Sequence, residues 1–434
     1  MRMASSVPGM PSSARLRDQR VFWLVWSGQP LSVLGNALYG IAILIWAASL
    51  RLSTGEVAGI LAGLGVFMSV PRLLVGPFLS GWVDRLSRKW LMFALDALRG
   101  AVIAGIWGLL TSGHLAVWHV YVAAGIDAVC TAMHEPAFEA SVANLVPRPL
   151  LARANGLVQS AFSAGNVAGP LAGGVLVAVL GLPSLIALDA ASFGAAAVTL
   201  LLAVIPQRRS PDTAVSGGMF RHAWDDAAVG FHFLREHRPL LLLLSLFAAS
   251  NLVGGPVQTL LPLLVVRELG GGAQLLGIVT AAAEAGVLVG GLLISVGLIR
   301  FQRHTLGVAV GIGAGGIGAL MTGVCAGLRS APGLVASVGL DAGAIPVSGV
   351  NQLVIWQRYV PDELRGRVFA ARRAIGQGTY PLGIVLAAPA AALFGVIPVV
   401  IGCGAVATAI GLAGAWLRPL RMLDATHDLS VVSE

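Results

Sequence analysis

Three carboxylates stand where an apolar stretch should not tolerate them. Asp127 lies in VYVAAGIDAVCTAM (120–133), Asp341 in ASVGLDAGAI (336–345) and Glu284 in VTAAAEAGVLV (279–289). An ionised carboxylate at the middle of a bilayer costs about 2.5–3.5 kcal/mol on insertion scales, so each should face a bundle interior, water or a partner. Desolvation favours the protonated form of a carboxyl group, which suits it to carry a proton or to hold a cationic ligand. A structural carboxylate, hydrogen-bonded to a neighbouring helix, is the competing reading, and the sequence leaves both open. His134 and Glu135 lie one to two helical turns beyond Asp127, with Thr131 between, and can extend a proton path. Asn36 and Asn251, with Gln29, Ser32 and Gln258 nearby, form polar stripes that can hydrogen-bond a ligand or join helices. Asp96 and Arg99, one turn apart, suggest a structural ion pair with each other.

The elements that position these groups follow from composition. The 434 residues are 56% hydrophobic and 11% charged, against roughly 25% charged in a soluble domain. With a mean hydropathy of +0.84, the chain reads as an integral membrane protein. The net charge of +8 is spread through short loops rather than gathered in a patch, which argues against a nucleic-acid partner. Cys130, Cys325 and Cys403 all lie in apolar runs without a CxxC pair, so neither a disulfide framework nor a zinc site is expected.

A helix needs about 20 apolar residues to cross the hydrocarbon, and windows of that size give twelve spans. Expected spans are 21–49, 57–80, 90–111, 116–140, 154–180, 183–205, 239–266, 274–298, 304–327, 332–356, 366–393 and 396–417. If the N-terminus is cytoplasmic, 23 basic residues fall on the inner side and three (Arg51, Arg267, Arg329) outside. Both termini are therefore expected in the cytoplasm, with a tail over 1–20 leading into a retained first helix. Bundles over 21–205 and 239–417 follow, joined by a linker at 206–238, with a C-terminal tail at 418–434. In the linker Phe220, Ala223, Trp224, Ala227, Phe231 and Leu234 recur at helical spacing, suiting a helix on the inner membrane surface. A disordered tether is the alternative.

The chain also repeats itself. At a shift of about 215, Asn36 falls on Asn251 and DRLSRK (84–89) on IRFQRH (299–304), keeping Arg85 as Arg300 and Arg88 as Arg303. At 214, GIDA (125–128) falls on GLDA (339–342), and Pro147, Leu150 and Arg153 fall on Pro361, Leu364 and Arg367. Four ordered matches at one offset imply two six-helix halves related by duplication.

GWVDRLSRK (81–89) resembles the loop signature between helices 2 and 3 of the major facilitator superfamily, met by Gly81, Asp84, Arg85, Arg88 and Lys89 with Ser87 where a glycine is usual. GNVAGPLAGG (165–174) resembles the Gly-Pro motif of its exporters. Together with SVLGN, LDALRG, RAN and ELRGRV, it resembles the bacterial branch of enterobactin and macrolide exporters, over roughly residues 18–417. The resemblance implies an all-α membrane fold of twelve helices in two pseudo-symmetric six-helix bundles, with helices 1, 4, 7 and 10 lining the cavity. It implies that Asp84 faces the start of helix 11, near Arg365 and Arg367, as a cytoplasmic gate. A carboxylate there can interact with a helix N-terminus; positive charge for topology is the alternative, which explains the basic residues but not Asp84. Gly165, Gly169 and Gly173 form a small-residue stripe, with Pro170 able to bend the helix, and Gly286-x-x-x-Gly290 in helix 8 is a possible partner; packing without directional meaning is the alternative.

No P-loop, GxSxG, HExxH or paired metal motif is present, so no enzyme, cofactor or metal is expected. The reading is a monomeric secondary transporter of the cell membrane, coupled to protons and exporting amphipathic or hydrophobic small molecules of drug or siderophore type. A nutrient importer or facilitator is the alternative, and a non-transporting scaffold or receptor a remote one.

Overall fold

The computed structural model describes residues 16, 19–83, 86–147, 150–205, 229–361 and 364–425, with side chains throughout these except at 75–83, 152 and 425. Ten helices among the described residues are long and apolar enough to span a bilayer. One of them, Arg153–Leu202, has 50 residues, about 75 Å of helix against a hydrocarbon core of about 30 Å. It is broken at Gly181 (φ 77°, ψ 165°), which makes it two crossings. A further helix, Val117–Leu145, carries Asp127, His134, Glu135 and Glu139, enough polarity to keep it out of that apolar set.

Twelve spans result among the described residues. They are α1 (Arg20–Ser49), α2 (Thr54–Val83), α3 (Arg88–Thr111), α4 (Val117–Leu145), α5 (151–180), α6 (182–202) and α7 (Arg238–Leu263), followed by α8 (Ala273–Ser295), α9 (His304–Gly327), α10 (Ala331–Tyr359), α11 (Arg365–Phe394) and α12 (Val396–Trp416). A short α13 (Arg418–Ala425) follows, within the expected C-terminal tail at 418–434. Asp424 accepts bonds from the Thr305 amide (3.3 Å) and hydroxyl at the start of α9, and Leu420 and Leu423 are buried beside it. A carboxylate there meets unsatisfied amides and the positive end of the α9 dipole. Of the expected linker helix, 206–228 lies outside the described residues. Residues 229–236 are helical, with Leu234 buried, Phe231 exposed and Gly230 against the Arg367 carbonyl.

The backbone repeats as the sequence does. Gly181 and Gly395 both take positive φ at the turns into α6 and α12, 214 residues apart. Gly113 (φ 76°) and Arg329 (φ 52°) do so at the turns into α4 and α10, 216 apart. These turns need left-handed backbone, which glycine supplies without strain and Arg329 adopts at some cost.

The cores show how the two halves meet. At the face away from the termini one apolar cluster runs through both, joining Leu38, Ile41, Val57 and Leu61 to Val257, Leu260, Ala387 and Ala391. At the face carrying the termini each half keeps its own cluster. Phe22, Met92 and Phe138 belong to one, and Leu244, Trp356 and Val368 to the other. Small residues make the shared contact close. A Cβ on Gly55 of α2 would lie 3.1 Å from Ala392 of α11, and one on Gly174 of α5 would lie 2.8 Å from the Ala273 carbonyl of α8. Arg267 ties the halves again, donating to the Leu50 carbonyl at 2.9 Å. Among the described residues, the two halves share one core at the far face and keep separate cores at the terminal face.

Candidate functional site

On α3, LDALRG places Asp96 and Arg99 on one face, and on α4 Asp127 and His134 are two turns apart on one face. The two helices run antiparallel, so the residues pair across rather than along them. Arg99 Nε donates to Asp127 Oδ1 at 2.7 Å, and His134 Nε2 lies 3.3 Å from Asp96 Oδ1 without hydrogen-bond alignment. The expected Asp96–Arg99 pair is replaced by these two, because both side chains turn toward α4 rather than toward each other, and Asp96 Oδ2 is left without a hydrogen-bond partner. Arg99 Nη2 also reaches Asn36 Oδ1 of α1 at 3.5 Å, and its guanidinium lies 4.3 Å over the Phe193 ring of α6. The pair is unevenly placed: the Arg99 side chain is 9% exposed and that of Asp127 36%.

Asp189 of α6, missed in the sequence reading, completes this polar cluster. It is fully buried, and Gly35 of α1 packs directly on it and on Ser192. It is the only charged residue in 183–205, so the rule that flagged Asp127 would have found it.

The second half treats its equivalent acid differently. Asp341 of α10 makes no hydrogen bond or ion pair among the described residues. A Cβ on Gly315 of α9 would sit 3.3 Å from Asp341 Oδ1. Gly315 is 216 residues from Arg99, so where the first half supplies a guanidinium the second leaves a carboxylate facing a glycine. Tyr380 of α11 lies within its electrostatic reach. Glu284 of α8 is half-buried and also makes no hydrogen bond or ion pair among the described residues; it is two turns from Gly277, on the side of α8 that meets α5.

The remaining candidates are scattered. Glu135 is exposed and ion-paired with Arg72 of α2 at 2.6 Å, separate from buried His134. Exposed pairs contribute about 0–1 kcal/mol, so the double variant Arg72→Gln, Glu135→Gln is expected to melt within a few degrees of the parent in detergent. Gln29 and Ser32 are buried on α1, the Asn251 side chain donates to the Gly376 carbonyl at 2.7 Å, and Gln258 is exposed. Asn251 thus joins α7 to α11.

Of the gate, Asp84 and Arg85 lie outside the described residues and Gly81 is in the last turn of α2. Arg88 donates to the Ala140 carbonyl (3.3 Å) and Lys89 to the Leu201 carbonyl (2.9 Å), both within the first half. Arg365 donates to the Gln357 carbonyl at 3.1 Å, and the Arg367 backbone meets Gly230. The glycine stripe of α5 packs on α1: Gly165 on Val33, Gly169 on Ala37 and Gly173 on Ile41. Its suggested partner Gly286-x-x-x-Gly290 instead meets Gly339 and Gly343 of α10, and α5 meets α8 through Gly174, Pro170 and Gly277. Spacing marked both stripes as close-packing surfaces but did not choose their partners.

Among the described residues no group of three or more histidine, cysteine or acidic side chains is placed to hold a metal. Several known proteins resemble this chain over most of its length. Macrolide efflux protein A of Streptococcus pyogenes is 27% identical over 406 residues, 93% of this chain and 97% of that protein. Multidrug efflux pump Tap of Mycobacterium bovis is 27% identical over 358 residues, 79% of this chain and 81% of that one. Among solved structures, the nucleoside transporter NupG superposes with a TM-score of 0.72 at 11% identity, covering 91% of this chain and 99% of its own. A bacterial homologue of the iron transporter ferroportin in its inward-facing state gives 0.66 at 14%, covering 93% and 100%. The family model described as Major Facilitator Superfamily matches residues 25–379. This chain therefore belongs to the major facilitator superfamily of membrane transporters.

Proposed function

We propose that this transporter exports amphipathic or hydrophobic small molecules, cationic ones included, in exchange for protons. It would act as a monomer in the cell membrane with both termini in the cytoplasm. The two units, 21–205 and 239–417, would rock about a central site, and the structure described above would be the form open to the cytoplasm. The likeness to efflux proteins over most of the chain supports the direction. The observation that carries the substrate chemistry is the unpaired Asp341 facing Gly315, at the place where the other half holds Arg99. A carboxylate without its own cation in an apolar surrounding is matched by a protonated amine or a proton. The gate reading of Gly81, Asp84, Arg85, Arg88 and Lys89 against Arg365 and Arg367 stands as part of this proposal.

The test is accumulation of a macrolide and of cationic dyes in cells stripped of their own pumps, with and without a protonophore. Expression should lower accumulation, and the protonophore should restore it. Raised accumulation would make the protein an importer. Asp341→Asn should cut efflux of the cationic dyes at least about tenfold, the equivalent of some 1.4 kcal/mol. Unchanged efflux in that variant would remove Asp341 from the site.

A further inference from the structure

We infer that Asp189 is the proton-binding group of this transporter, and that Arg99 exchanges between Asp127 and Asp189 as the proton moves. The inference rests on the proton-driven reading above and deepens it. Asp189 has no exposed surface. Its Oδ2 has no hydrogen-bond partner, and its Oδ1 receives only a long bond of 3.4 Å from the Ser192 hydroxyl. No basic nitrogen lies within 4 Å of it among the described residues. The titratable groups around it are Tyr39 of α1, whose buried hydroxyl is also unpartnered, Arg99 of α3 and Asp127 of α4. Asp96 and His134, 3.3 Å apart, lie farther toward the terminal face.

The charges in this cluster do not balance unless one proton is present. One guanidinium serves two carboxyl groups. Asp127 holds it at 2.7 Å and is partly exposed, so a second ionised carboxylate would stand unpaired at the least accessible point. An uncompensated buried charge is the arrangement proteins avoid. The proton therefore sits on Asp189, leaving one cation, one carboxylate and one carboxylic acid.

The geometry also provides for exchange. The Arg99 guanidinium lies over Phe193, which is four residues along α6 from Asp189, about 6 Å of helix rise. Gly100 keeps α3 close there, since a Cβ on it would be 3.2 Å from Phe193 Cβ. In the exchange the O–H bond on Asp189 breaks and the proton passes to the Asp127 carboxylate as Arg99 leaves it. Arg99 then pairs with ionised Asp189. Asp127, at 36% exposure, gives the proton to water. Until that release the cluster keeps the same net charge. Gly35 leaves no side chain between α1 and the carboxyl, so a movement of α1 acts on Asp189 directly.

Infrared difference spectroscopy on the purified transporter in lipid vesicles at neutral pH tests this. Wild type minus Asp189→Asn should show one protonated-carboxyl band. Asp127→Asn should lose the same band, because Asp189 then ionises to pair with the vacant Arg99. Identical spectra for wild type and Asp189→Asn, or a band that persists in Asp127→Asn, would overturn the inference. Should Asp189→Asn fail to fold, the Asp127→Asn comparison decides alone. In transport, Asp189→Asn should bind a cationic dye as the parent does yet lose its pH-gradient-driven export. A wild type without proton-driven export would sink the proposed function, while the infrared result would still decide where the proton resides.

Discussion

Arg99→Met is expected to abolish transport and to lower the stability of the purified protein by about 3 kcal/mol. That is the lower end of the range for removing one partner of a buried ion pair, chosen because Asp127 is 36% exposed and retains some contact with water. The loss has two sources. Asp127 is left charged without its guanidinium, and the contacts of Arg99 with Asn36 and Phe193 vanish with it. Replacing both members, Arg99→Met with Asp127→Leu, should recover most of the stability, since an apolar pair of similar volume avoids desolvating two ions. It should not recover transport. The measurement is thermal unfolding in detergent beside dye efflux in cells, read as a double-mutant cycle. A single Arg99→Met that melts with the parent would show that the pair is not what holds α3 to α4.

The spans were legible because apolar length is a local property. Expected and observed crossings agree to within a few residues at most ends, and the boundary expected between 154–180 and 183–205 coincides with the break at Gly181. The helices are longer where they leave the hydrocarbon: α4 continues to Leu145 and α10 to Tyr359, beyond the expected 140 and 356, because polar residues can carry a helix into water. Pairing was not legible, because it depends on how each helix is rotated against its neighbours. Asp96 and Arg99 are one turn apart and look like partners, yet each turns to α4. Gly286 and Gly290 advertise a close contact without saying that α10 receives it. Asp127 and Asp341 occupy equivalent places in the repeat, but only the structure shows that one has a guanidinium and the other a glycine opposite. That asymmetry is what duplication followed by divergence allows: the scaffold repeats while the charges at its centre differ.

The shared core at the far face leads to the second large effect. Gly277→Leu should move the resting protein away from the form described here. α5 and α8 touch through Gly174, Pro170 and Gly277, and a Cβ on Gly277 would collide with the Pro170 carbonyl. Backbone on the far side of that contact cannot step aside as a flexible side chain would. Overpacking of this kind costs about 1–3 kcal/mol. It falls only on the conformation in which the far face is closed, so the opposite conformation gains about five-fold to more than a hundred-fold in relative population. Spin labels at Leu86→Cys and Arg358→Cys, exposed on the terminal face of the two halves, report it once Cys130, Cys325 and Cys403 are replaced. The short inter-label distance, marking closure of the terminal face, should rise from a minor to a major fraction. Gly286→Ala is the matched control, because its Cβ would strike the Gly339 carbonyl of α10 within one half. It should lower the melting temperature and leave the distance distribution alone. If Gly277→Leu behaves like Gly286→Ala, the α5–α8 contact belongs to the static packing of the bundle, and the division between the two cores at the terminal face is not one side of a moving equilibrium.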